Sequence, residues 1–133
     1  MRITQECGYA IRMMVMIANL PEDEVIDAAT ISEKQNIPSR FTVKILRKLV
    51  LSELIRSRKG AGGGYSLNRP ASEITMKDIV EVIDGQIAVM KCIGDESVCN
   101  YPDKTSCSVH HIMVEINEQI VDKLESITLE KLK

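Results

Sequence analysis

A chain of 133 residues with 44% hydrophobic content can bury one modest core, which excludes two independently folded domains. Aromatic content of 3% with no tryptophan requires that core to be aliphatic and methionine-rich, and the longest apolar run, Met13–Leu20, contains Asn19 and is too short to cross a bilayer. The net charge of −2 would argue against a polyanionic partner, but Lys34–Arg69 carries nine Lys or Arg against the single acid Glu53, while six basic and twelve acidic residues follow Pro70.

From the N-terminus, Ile3, Cys7, Ala10, Ile11, Met14, Ile17 and Ala18 recur at steps of three and four, which predicts a helix over Ile3–Leu20 with Thr4 as its cap. Pro21-Glu22-Asp23-Glu24 ends it. A second helix is expected over Ala28–Asn36, broken by Ile37-Pro38. Ser39 then reads as the cap of a third helix, Arg40–Leu51, with Phe41, Ile45, Leu46 and Leu49 inward and Arg40, Lys44, Arg47 and Lys48 outward. Two short helices across a tight turn suggest helix-turn-helix. Leu54–Lys59 and Tyr65–Leu67 read as short strands around Gly60-Ala61-Gly62-Gly63-Gly64, a tip free to take positive φ. No Lys-Ser or Lys-Thr follows these glycines and no helix opens after them, so they are a wing and not a nucleotide phosphate loop.

A fourth helix is expected from the cap Thr75 to Ile83, closed by Asp84-Gly85. The last helix, Ser108–Glu125, carries Val109, Met113, Ile116, Ile120, Leu124 and Ile127 as a stripe expected to bury against a second copy of the chain. The expected class is mainly α: a winged helix-turn-helix over residues 1–83 with a two-stranded wing, a cysteine-rich cluster-binding loop over 84–107, and a long C-terminal dimerisation helix and tail over 108–133. Nothing at the N-terminus has a secretory pattern, so a cytoplasmic location without a membrane partner is expected.

A helix-turn-helix sets its second helix in the major groove with its N-terminal residues at base edges, here Ser39, Arg40, Thr42 and Val43. Lys44 shares the outward face, and Arg47 and Lys48, further along, suit phosphates. Arg58 and Lys59, with Gly60, Gly62 and Tyr65 around the tip, suit a narrow minor groove. An isolated charge is usually only solvated surface; nine against one in a winged layout is not isolated. Double-stranded operator DNA is the expected partner.

Cys92, Cys99, Cys107 and His110 follow as C-x6-C-x7-C-x2-H. Three thiols leave one unpaired in any disulfide scheme, and the gaps match no zinc-finger spacing, whereas an iron-sulfur cluster accepts thiolates from separated positions and an imidazole in place of one. Disulfide, zinc and cluster all remain open on this chemistry alone. His110 and His111 are the only histidines, and no nucleophile, base and orienter form a catalytic set, so neither an enzyme nor a small-molecule substrate is expected.

The opening MRITQECGYAIRMM, the segment ISEKQNIPSRFTVKILRKLV, the wing RSRKGAGGGYSL, the cysteine trio and the tail SITLEKL together resemble the Rrf-two family of bacterial transcription regulators, with its IscR-, NsrR-, RirA- and CymR-like members. The resemblance covers essentially the whole chain. It implies a homodimeric regulator, expected to be a repressor, that senses cluster, redox or nitric-oxide status through a 2Fe-2S or 4Fe-4S cluster, the former favoured, and that loses the cluster easily in air. Carried over, Cys92, Cys99 and Cys107 are the thiolate ligands and His110 the fourth, with His111 its adjacent rival. The gaps are longer than the IscR-like pattern. NsrR-like members use a carboxylate near the position of Gly8, beside which Cys7 and Glu6 stand here, so the partner's Cys7 or Glu6 is an alternative fourth ligand, and Cys7 is equally readable as a core residue. Two other readings stay open: a cluster-free regulator sensing thiols or a partner protein, and a small iron-sulfur redox protein without a DNA role.

Overall fold

Thr4 opens the first element. In the computed structural model, which describes residues 1–133, its hydroxyl accepts the Cys7 amide at 3.1 Å, and α1 runs Gln5–Ala18 with Cys7, Ala10, Met13, Met14 and Ile17 buried. Asp27 caps α2 (Ala28–Gln35) in the same way through the Thr30 amide. Asn36, at a left-handed φ of 52°, stops α2 and turns Ile37 into the core.

The third helix, α3, spans Ser39–Leu51. Its cap position belongs to Pro38, whose carbonyl accepts the Phe41 and Thr42 amides at 3.0 and 3.1 Å, so Ser39 is the first helical residue and not the expected cap. Ile45, Leu46 and Leu49 are buried as expected, and Thr42 is buried with them.

The wing is a two-stranded antiparallel sheet, β1 (Ile55–Arg58) with β2 (Gly64–Leu67), in a register that pairs Ile55 with Leu67 and Arg58 with Gly64. Gly60 and Gly62 turn the tip at φ 92° and 73°, values that cost residues with a Cβ. The base of the wing is fixed by a pairing the sequence did not announce. Ile26 exchanges backbone hydrogen bonds with Tyr65 at 2.8 and 3.1 Å, which stitches the α1–α2 connection to β2.

Thr75 and Asp78 form a reciprocal capping box that starts α4 (Met76–Asp84). The cysteine loop, expected to lack regular structure, holds a single helical turn, α5 (Lys91–Gly94), and 3-10 turns at Glu96–Val98 and Lys104–Ser106. Asp95 and Asp103 nucleate the latter two by accepting the amides of Ser97 and Thr105.

The last long helix, α6, spans Ser108–Ser126, and its apolar stripe is divided between two environments. Ile120, Val121 and Leu124 pack in their own chain beside Cys7, Val80 and Ile87, whereas Val109, Ile112 and Ile116 remain at least 40% exposed. The continuous stripe expected to lie against a second copy is thus broken, because α4 occupies one end of it. The tail folds back. Met76 donates to the Ile127 carbonyl at 2.8 Å, Leu129 donates to Ile74 at 2.9 Å, and α7 (Leu129–Leu132) places Leu129 in the same core as α1 and Ile74.

Candidate DNA interface and thiol site

The outer face of α3 is built by helical period. With Thr42, Ile45, Leu46 and Leu49 turned inward, Ser39, Arg40, Val43, Lys44 and Arg47 are left exposed and Lys48 half-buried. Thr42 cannot meet a base edge as the sequence suggested. Its side chain is fully buried, and its hydroxyl lies 3.4 Å from the Pro38 carbonyl. The Arg40 guanidinium stacks 5.2 Å over the Phe41 ring, which limits its freedom.

At the wing tip Arg58, Lys59, Gly60 and Gly62 are exposed, with Arg58 Nη2 donating to the Gly62 carbonyl at 3.2 Å. Tyr65 is half-buried against the core, and its backbone holds Ile26, so its visible role is to anchor the wing. Arg56, Arg58 and Arg69 line a cavity of about 910 Å³ together with Glu22, Asp23 and Glu24, so the wing arginines stand in a mixed field.

The thiol site forms where α5 meets the start of α6. Cys92 Sγ lies 3.5 Å from His110 Nδ1. Both line a cavity of about 510 Å³ with Cys99, Glu96, Lys104, Thr105, His111 and Val114. Cys107 stands at the N-cap of α6, where its sulfur accepts the His110 amide at 3.4 Å. Cys92, Cys99 and His110 therefore share one cavity, and Cys107 joins them through the His110 backbone. No three His, Cys, Asp or Glu side chains already meet at metal-holding distance. As a donor set, two half-buried thiols and an imidazole lining one cavity, with the half-buried Cys107 thiol bonded to the His110 amide, fit a soft-metal group.

Asn117 was not foreseen. It is the only polar side chain besides Thr42 to be buried, and it clamps the segment leading to Cys92: Oδ1 accepts the Val89 amide at 2.9 Å and Nδ2 donates to the Ile87 carbonyl at 3.2 Å. A lone asparagine inside the apolar stripe of α6 was the available signal.

The two alternative ligands sit elsewhere within the chain. Cys7 is fully buried against Val80 and Ile87, and burial, with the Asp84 carboxylate beside it, pushes its thiol up to about 12. Glu6 points at α3, where its carboxylate meets Lys48 at 2.7 Å and Lys44 at 3.6 Å. The hydrogen bond from Lys48 holds this carboxyl below its ordinary value.

The Rrf2 profile, described as an iron-dependent transcriptional regulator, matches residues 3–133. The chain belongs to the Rrf2 family. This Rrf2 protein is 31% identical over 132 residues to the transcriptional regulator IscR of Pectobacterium atrosepticum, a match covering 99% of the chain and 79% of that protein. A helix-turn-helix-type regulator of Mycobacterium tuberculosis is 38% identical over 94 residues; that match covers 71% of the chain and spans 58% of the relative's own length. Among solved structures, CymR, the global cysteine regulator of B. subtilis, superposes with a TM-score of 0.83 at 23% identity, covering 99% of this chain and 95% of that one. IscR of T. potens gives 0.78 at 20%, covering 99% and 85%. These likenesses establish the winged-helix fold. The family and these relatives are transcription regulators, and none of this chain's helices is long and apolar enough to cross a membrane.

Proposed function

We propose that this Rrf2 regulator binds double-stranded operator DNA as a cytoplasmic homodimer, acts as a repressor, and takes its signal from an iron-sulfur group held by Cys92, Cys99, Cys107 and His110. The observation that carries the reading is the approach of Cys92 Sγ to His110 Nδ1 at 3.5 Å, with Cys99 lining the same cavity and Cys107 bonded to the His110 amide. A 2Fe-2S group is favoured because an imidazole stands among the thiolates, and when bound it would supply sensitivity to redox state and nitric oxide.

The remaining steps belong to the chain. Cys92 on α5 and His110 on α6 hold the two ends of the loop together, and Asn117 fixes the segment before Cys92 to the same helix. A second copy covers Val109, Ile112 and Ile116, so a change in the loop alters how the two α6 helices meet and how far apart the two α3 helices stand. Arg40 and Val43 then meet base edges, Lys44, Arg47 and Lys48 meet phosphates, and Arg58 and Lys59 enter the minor groove.

Iron and acid-labile sulfide content with a visible spectrum, on protein purified without oxygen, tests the cluster. Equal iron and sulfide lost together in Cys99→Ala supports it; zinc alone, no metal, or full cluster absorbance in Cys99→Ala refutes it. A promoter fragment carrying a near-palindrome tests the DNA role, since a redox carrier ignores it at moderate salt. The contact between Cys92 and His110 also favours a second reading within the regulator class, in which this thiol paired with an imidazole is itself the sensor. Metal-free protein whose DNA affinity still responds to thiol oxidation would establish that reading.

A further inference from the structure

The first turn of α1 is fixed from two sides. Thr4 donates from its amide and its hydroxyl to Asp84 at 3.0 and 2.6 Å, and Cys7 is sunk beneath it beside Val80. The turn therefore has little freedom, and Glu6, between these anchors, is aimed across at α3. Its carboxylate lies 2.7 Å from Lys48 Nζ and 3.6 Å from Lys44 Nζ, with 21% of the Glu6 side chain exposed against 34% for Lys48 and 56% for Lys44. Arg47 on the same helix has no acid within ion-pairing distance.

An ammonium already neutralised by a carboxylate contributes less to counterion release when a phosphate approaches, and the carboxylate itself repels that phosphate. We propose that Glu6 is a positioning residue that competes with the DNA backbone for Lys48 and Lys44, so that the recognition helix shows less positive charge than its sequence carries. This rests on the reading of α3 as the DNA-facing helix. The consequence is a regulator whose affinity is held down by its own N-terminal helix. The pairs are exposed enough to exchange partners, and a fixed first turn keeps the competitor in place.

The test is fluorescence anisotropy on a random-sequence duplex over a range of sodium chloride, with wild-type full-length chain, Glu6→Gln, Lys48→Gln and the double variant. Glu6→Gln is expected to bind about three- to tenfold tighter at low salt, with the slope of log affinity against log salt steeper by about 1 for each lysine released. In the Lys48→Gln background most of that gain should vanish, a coupling that a merely structural role would not produce. Wild type that binds with no salt slope would sink the DNA-facing reading of α3 and the inference with it. A normal wild-type slope that Lys48→Gln flattens and Glu6→Gln leaves unmoved would overturn the inference alone. Weaker binding by a folded Glu6→Gln, checked by its circular dichroism melt, would also overturn it by making Glu6 a support for α3.

Discussion

Replacing Asn117 with alanine should loosen the root of the cysteine loop more than any surface change in the loop itself. The amide makes two hydrogen bonds to backbone, at 2.9 Å from Val89 N–H and 3.2 Å to the Ile87 carbonyl, in a site where Asn117 is 8% and Ile87 5% exposed. Each lost bond costs about 1 kcal/mol net, and a backbone group left dry costs about 1–3 kcal/mol. Val89 is half-buried, so water can partly replace its lost partner, and the expected total is about 2–3 kcal/mol. Two measurements separate global from local loss. Urea denaturation should report a lower midpoint, and the Val89 amide should exchange hydrogen about 30-fold faster or more, because the loop opens before the core does. Cys92, three residues further on, should become more accessible to alkylation. A stability loss below about 0.5 kcal/mol with Val89 protection intact would refute the clamp.

Native protein treated with a maleimide should be labelled at Cys92, Cys99 and Cys107 while Cys7 stays protected, and equal labelling of all four by mass spectrometry would contradict the burial of Cys7. Because the Cys7 thiol rises from 9.0 to about 12, the folded state holds its proton longer than the unfolded one, so stability should fall as pH climbs through that window and the fall should be shallower in Cys7→Ala. Gly64→Ala would place a Cβ 2.6 Å from the Ile26 carbonyl carbon and oxygen, so roughly 2 kcal/mol or more should be lost in urea and the salt slope of DNA binding should drop as the wing detaches. Leu129→Ala, at a site 1% exposed, should cost about 2–4 kcal/mol by denaturant unfolding, and a near-neutral result would mean that the tail is not part of the core.

Much of the fold was legible because its signals are local. Thr4 and Thr75 cap the helices they were expected to cap, and the glycine run gives a wing whose tip uses positive φ at Gly60 and Gly62. Thr42 is buried in spite of its polarity because it lies three, four and seven residues before Ile45, Leu46 and Leu49, the spacing of one helical face, and that spacing rules out the outward role its hydroxyl suggests. Asp95 with Ser97 and Asp103 with Thr105 were readable as turn-forming pairs inside a loop expected to be irregular. Other features have no local signature. Glu6 and Lys48 stand 42 residues apart, the Thr75–Thr128 bridge joins segments with no shared pattern, and the pairing of Ile26 with Tyr65 depends on where the α1–α2 connection lands. The candidate thiol site was legible as a set of residue types. Its order was not: which thiol faces His110, and which caps a helix, follows from how α5 docks on α6.

The return of the tail sets the order in which the molecule can be completed during synthesis. Leu129 fills a core otherwise made by residues 10–79, and its amide reaches back to Ile74, so the winged half stays unfinished until the ribosome has passed the whole cysteine loop and α6. A nascent chain that has released α3 and the wing still lacks the side chain that closes their core. The winged half thus reaches its final stability only after Cys92, Cys99, Cys107 and His110 have been made, which ties its maturation to the presence of the loop.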